Sequence, residues 1–183
     1  MKSAFAFVGL SLFLTACDTL SLQPLNSERD KTIAEPAVLG RWKSSDNTIW
    51  RVTETKPAVY SVTEEGKSGD RLEARLTRIG QVLFADFQPV AQESCQIPGH
   101  LFGRLGVEGS KMRLAWVDFK WLARQIGPPS YPAHQFVAFG DDSNLVLTAP
   151  TADLRIYLER VTGISEAFQQ DEIFLRIDPE GDR

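Results

Sequence analysis

"RLEARLT", residues 71–77, alternates without a fault. Leu72, Ala74 and Leu76 fall on one parity, and Arg71, Glu73, Arg75 and Thr77 fall on the other. Successive side chains of a β-strand point to opposite faces, so the segment reads as a strand with one buried and one wet face. A slip of one residue would bury its arginines, which fixes the register. "KMRLAWVD" at 111–118 repeats the pattern, with Met112, Leu114 and Trp116 opposite Lys111, Arg113 and Val117. The expectation is that Leu72, Leu76, Met112, Leu114 and Trp116 share a core while Arg71, Arg75 and Arg113 face solvent.

Outward from these two strands the rhythm continues. "QVLFADF" (81–87) and "HLFGRLGVE" (100–108) lie between them, and turn signals punctuate the series: "EEGKSGD" at 64–70, "IGQ" at 79–81, "EGSK" at 108–111 and "GDDSN" at 140–144. Two stretches leave the period of two. In "DFKWLARQIG", Asp118 is placed to cap, Leu122 and Ile126 stand four apart, and Gly127 precedes Pro128 and Pro129, which predicts a short helix over 119–126. "APTADLRIYLERVTG" sets Leu154, Tyr157, Leu158 and Val161 on one helical face between Thr151 and Gly163, a second helix over 151–162. "EIFLRI" at 172–177 is a closing strand or an extended arm. The fold class is therefore mainly β: an antiparallel meander that closes into a single barrel or folds as a two-sheet sandwich, with one or two late helices.

Composition supports a domain resting on its own core, with 43% hydrophobic residues, four Trp and eleven Phe. The net charge is −4 and the basic residues form no cluster, so nucleic acid is a poor partner. There are two cysteines, Cys17 and Cys95. The first ends a suggestive segment. Lys2 precedes the apolar run "AFAFVGLSLFL", which is shorter than the roughly 20 residues a spanning helix needs and fits a secretory signal. Leu14-Thr15-Ala16-Cys17 closes it, an aliphatic and two small residues before a thiol.

That quartet resembles the lipobox of bacterial lipoproteins. The resemblance implies a signal peptide over 1–16, cleavage before Cys17, and acylation of Cys17, whose fatty chains (palmitate among them) hold the protein to a membrane. Asp18 resembles the residue that marks retention in the inner membrane in enterobacterial lipoproteins, which implies a periplasm-facing protein sorted there. With Cys17 acylated, Cys95 has no cysteine to pair with. Residues 17–37 then form the lipidated Cys and a polar, proline-containing tether, spanning roughly 25 Å if flexible, and 38–183 form the β-rich domain.

"LGRW" at 39–42 opens that domain. Its Gly40-x-Trp42 resembles the signature of lipocalin-like small barrels, in which the Trp closes one barrel end beside an Arg from the last strands; here that implies Arg176 or Arg160 as partner. Trp50, Tyr60, Phe84 and Trp116 sit on predicted strands, and their inward positions would line a ligand cavity or simply fill the core.

Other constellations point away from catalysis. Cys95, His100 and His134 match no metal-ligand spacing and no cysteine-nucleophile signature. Asp141-Asp142 and Glu64-Glu65 lie in turn regions, where carboxylates are solvated. No nucleophile elbow, zinc-protease motif or phosphate loop is present. The sequence therefore predicts a lipid-anchored envelope protein without catalytic residues, cofactor or metal: a binding module for an apolar or amphiphilic ligand inside the barrel, or alternatively an interaction protein that contacts an envelope complex through its outer face or loops such as "IGPPSYPAH" (126–134). A filled interior favours the second, an open apolar pocket the first.

Overall fold

The computed structural model describes residues 19–27, 32–67, 71–90, 99–125, 132–139 and 142–177. Cys17, Asp18, Cys95 and the greater part of the proline-rich loop lie outside them. In chain order the elements are β1 (Thr19–Ser21), a 3-10 turn (Pro36–Val38), β2 (Gly40–Ser44), β3 (Ile49–Lys56), β4 (Val59–Glu64), β5 (Arg71–Ile79), β6 (Val82–Pro89), β7 (Leu101–Glu108) and β8 (Lys111–Trp116). There follow α1 (Phe119–Gln125), β9 (His134–Phe139), β10 (Asp142–Leu147), α2 (Thr151–Val161) and β11 (Glu172–Ile177). Both helices fall where their spacing places them; Asp118 caps the first by accepting the Trp121 N–H, whereas Pro150 precedes the second and no side chain caps it.

Strands β2 to β8 form a continuous antiparallel meander, and β11 closes it by pairing with β8 on one side and β2 on the other. The result is a closed barrel of eight strands. Closure satisfies every edge, which an open sheet would leave exposed to another chain. The segment "EIFLRI" is thus the closing strand, its Phe174 opposite Met112 and Ser44.

The core divides in two. Inside the barrel, Leu72, Ala74 and Leu76 of β5 meet Met112 and Leu114 of β8, and Trp116 packs against the same cluster. Arg71 and Arg75 face solvent, and Arg113 is half-buried and paired with Glu108. The second core lies outside the barrel wall. Ile79, Phe84, Phe102, Ala115 and Val117 turn outward from β5, β6, β7 and the end of β8, and are covered by Leu122 of α1, Leu145 and Leu147 of β10, and Leu154, Tyr157, Leu158 and Val161 of α2.

Phe84 therefore corrects an expectation. It does not line the barrel interior; it packs on the outer face near Phe168, ring centroids 6.1 Å apart. The first half of β6 is apolar on both faces because both are covered there, so alternation gives no sense of direction at Phe84.

The expected tether is corrected too. β1 pairs parallel with β10, and Leu25 is fully buried in the outer core. The carbonyl of Pro24 accepts from Thr151 Oγ1 at 2.7 Å, and Ile33 and Glu35 donate their N–H groups to the Leu76 carbonyl and the Tyr60 hydroxyl. Burial of Leu25 and these bonds hold the segment against the domain.

Candidate functional site: a polar cleft on the barrel wall

The barrel interior was the place where the sequence put a ligand. Trp50, Tyr60 and Trp116 do converge there, with Trp50 4.7 Å from Phe174 and Phe87 4.9 Å from Trp116, centroid to centroid. They fill the space. The remaining gap, lined by Val38, Trp50, Tyr60, Phe87, Met112 and their neighbours, measures about 30 Å³. That is room for a water or two, since one needs about 10–15 Å³. At Gly103 a Cβ would stand 2.6 Å from Leu114 Cδ1, so Leu114 already occupies the space a side chain would take.

One end of the barrel is stoppered by the 3-10 turn. Trp42 is fully buried and donates its indole N–H to the Val38 carbonyl at 2.7 Å. Arg176, its register partner on β11, stacks on it and donates to the carbonyls of Leu39 (2.6 Å) and Ala37 (2.5 Å). Gly40 sits at φ +120, and a Cβ there would meet Arg176 Nη1 at 2.9 Å. Of the two arginines considered, Arg176 is the partner; Arg160 is exposed on α2. At the barrel margin, Trp116 donates to Glu172 Oε1 at 3.2 Å, and burial raises the Glu172 carboxyl above its ordinary range.

The histidines separate. His134 begins β9, its Nδ1 3.1 Å from the Pro132 carbonyl. His100 lies across two intervening partners, Ser21 and Leu147. Three strand spacings amount to about 14 Å, too far for one metal ion. Among the described residues no cluster of three or more His, Cys, Asp or Glu is placed to hold a metal. Glu64 and Glu65 bind cations rather than face a cleft: Lys67 lies 2.9 Å from Glu64, and Arg41 and Arg51 lie 2.7 and 2.8 Å from Glu65.

His100 has another partner. Its Nδ1 stands 2.8 Å from Asp86 Oδ1, and Asp86 Oδ2 accepts the Leu25 N–H at 2.7 Å. Asp86 is 3% exposed, so its carboxylate depends on these bonds in place of water. The register explains its neighbours. Arg75 is opposite Asp86, and Glu73 is opposite Gln88, all four on the outer face of β5 and β6. Further along the same face, Ile79 and Phe84 are covered by the outer core. The polar half is left as an open cleft of about 210 Å³, walled on its far side by Pro24, Asn26 and His100.

Asn26 is the unusual member. It is 5% exposed, yet neither its amide nitrogen nor its amide oxygen has a partner among the described residues. Native proteins pair nearly all buried polar groups, so an exception is informative. The arrangement offers carboxylates, a guanidinium, an imidazole and two amides to one small volume. Among its lining residues there is no hydroxyl or thiol to act as a nucleophile. Sequence reading weighed His100 with Cys95 and His134 and set that grouping aside, without finding its partner Asp86. The one signal of the site was Asp86, a lone acid within "VLFADF".

No family model matches the chain, and no curated protein or solved structure matches it significantly.

Proposed function

We propose that the protein is a lipid-anchored, non-enzymatic binding module of a bacterial cell envelope that takes its ligand on the outer wall of the barrel, in the Asp86–His100 cleft. The lipobox-like Leu14-Thr15-Ala16-Cys17 supports the anchor on Cys17, and Asp18 supports the inner membrane as its place. The observation that carries the binding mode is the contrast between the two spaces: a barrel filled but for about 30 Å³, and an open polar cleft of about 210 Å³ beside a buried, unpaired amide. The preference for an interior apolar ligand gives way to the outer face.

Titration of the purified chain with octanoate, read by tryptophan fluorescence, tests this. Trp42, Trp50 and Trp116 border the interior cluster, so an apolar guest there shifts their emission. The expected result is no saturable shift. A saturable shift lost in Trp50→Ala would restore the interior reading.

A further inference from the structure

The closing strand has a second face. Phe174 of β11 points into the barrel, while Ile173, Leu175 and Ile177 point outward and belong to neither core. Leu175 is 55% exposed and Ile173 39%. The register sets cations along both margins of this apolar stripe. On β8, Arg113 is opposite Ile173 and Lys111 opposite Leu175; on β2, Lys43 is opposite Leu175 and Arg41 opposite Ile177. Directly opposite residues share a face, so the stripe is flanked by cations on each side. They are far apart in the chain and become neighbours only when the barrel closes. Arg41 is paired with Glu65 and Arg113 with Glu108, each at 2.7 Å. Glu108 is opposite Lys111 on β7 but turns to Arg113 instead. Lys43 and Lys111 have no carboxylate partner among the described residues, in a chain whose net charge is −4.

Shape limits what such a face can hold. Both edges of β11 are paired, so it accepts no added strand, and the outer wall of a closed barrel is convex, without the groove an amphipathic helix needs. An anionic bilayer yields to a convex ridge. Aliphatic side chains enter the acyl boundary while the long basic side chains beside them reach the phosphates.

We propose that the outer face of β11 and its basic margins lie on the surface of an anionic bilayer, with Ile173 and Leu175 in the headgroup boundary and Lys43 and Lys111 on lipid phosphates. This goes beyond the anchor on Cys17: it sets how the domain lies rather than what holds it. The strand order supports it. β1 bridges to β7 through Ser21 and His100, a quarter-turn from β11, so the anchored end and the stripe can meet one surface. β5, which carries Glu73 and Arg75 of the cleft, is diametrically opposite β11, and the cleft therefore opens away from lipid.

The test is acetylation footprinting of the full-length protein on vesicles, read lysine by lysine by mass spectrometry. One set of vesicles is phosphatidylcholine alone, and the other is phosphatidylglycerol and phosphatidylcholine in equal parts. Lys43 and Lys111 are expected to react roughly threefold or more slowly on the anionic set, while Lys67 and Lys120, off the stripe, keep their rates. At about 1 M salt, where the Debye length is about 3 Å, the difference should shrink. Leu175→Gln should lose the protection without moving the thermal melting curve, since that side chain is exposed. Phe136→Gln, a similarly exposed apolar residue on β9, should keep it. Equal rates on both vesicle sets, or protection that survives Leu175→Gln, would overturn the stripe. Protection by poly-glutamate but not by anionic vesicles would assign the face to an acidic protein and overturn the bilayer. Flotation of the same samples separates this from the anchor. A chain that floats on neutral and anionic vesicles alike, with neither lysine protected, keeps the anchor and loses the stripe. One that floats only on anionic vesicles, with both lysines protected, keeps the stripe and loses the anchor.

Discussion

The guanidinium of Arg176 lies over the indole of Trp42, its central carbon 4.3 Å from the ring centroid. The two are directly opposite on β11 and β2, the last and first strands of the barrel. One side chain from the end of the chain thus seals the seam and ties down the stopper, through the Ala37 and Leu39 carbonyls.

Removing it should be felt globally. Arg176→Ala is expected to lower stability by about 2–4 kcal/mol, from a half-buried cation–π contact and two charged hydrogen bonds. Arg176→Lys keeps the charge without the planar fork and should recover only part of the loss. Urea unfolding curves measure both. A loss under about 0.5 kcal/mol for Arg176→Ala, the level of an ordinary surface change, would deny the seam its role.

Phe84→Ala should cost about 3–5 kcal/mol, the range for a fully buried aromatic. Leu76→Ala, in the barrel interior, should cost about 2–5 kcal/mol. Similar losses from both faces of one wall would show that the helices and β10 form a second core rather than a loose cover. A negligible effect of Phe84→Ala, again by urea unfolding, contradicts that.

Glu65 sets an acid-side limit. Hydrogen bonds from Arg41 first and then Arg51 hold its carboxyl down to about 2, from an ordinary value of 4.5, against the opposing effect of burial. The folded state binds this proton less readily than the unfolded chain does. The stabilisation is therefore complete above about pH 4.5 and is lost as pH falls toward 2. Glu65→Gln should flatten that part of the melting temperature profile and change little at pH 7 beyond the loss of a partly exposed pair. An unchanged acid limb would mean that Arg41 and Arg51 do not hold Glu65 in solution.

Cys17→Ser is expected to abolish labelling by radioactive palmitate. Asp18→Ser should move the protein to the outer membrane in a host that sorts by that residue, as read by membrane fractionation. Labelling that survives Cys17→Ser ends the lipoprotein reading; unchanged fractionation of Asp18→Ser ends only the sorting claim.

Where one face is wet, the sequence spoke clearly. Arg71, Glu73 and Arg75 gave β5 its direction, Lys111 and Arg113 did so for β8, and Gly40 and Trp42 were legible as a pair whose arginine was left between Arg176 and Arg160. Phe84 was not, because β6 buries apolar side chains on both faces and period two then carries no sign. β1 has three residues, too few for a pattern, and its partner is β10, far along the chain. The cleft draws on the N-terminal segment, β5, β6 and the approach to β7. Asn26 looked like any loop asparagine, since only the fold reveals that it is buried and unpaired.

Docking of β1 has a geometric consequence for a protein acylated on Cys17. Thr19 stands two positions beyond that residue, and an extended chain covers at most about 3.6 Å per residue, so the leash is no longer than about 7 Å. Asn26, nine positions on, lies within about 32 Å of the anchor. Were Cys17 acylated, a domain so closely moored would patrol a thin layer along the bilayer rather than the volume above it. Its cleft would then meet what is released or displayed at the membrane face at a local concentration that a freely diffusing copy would not experience.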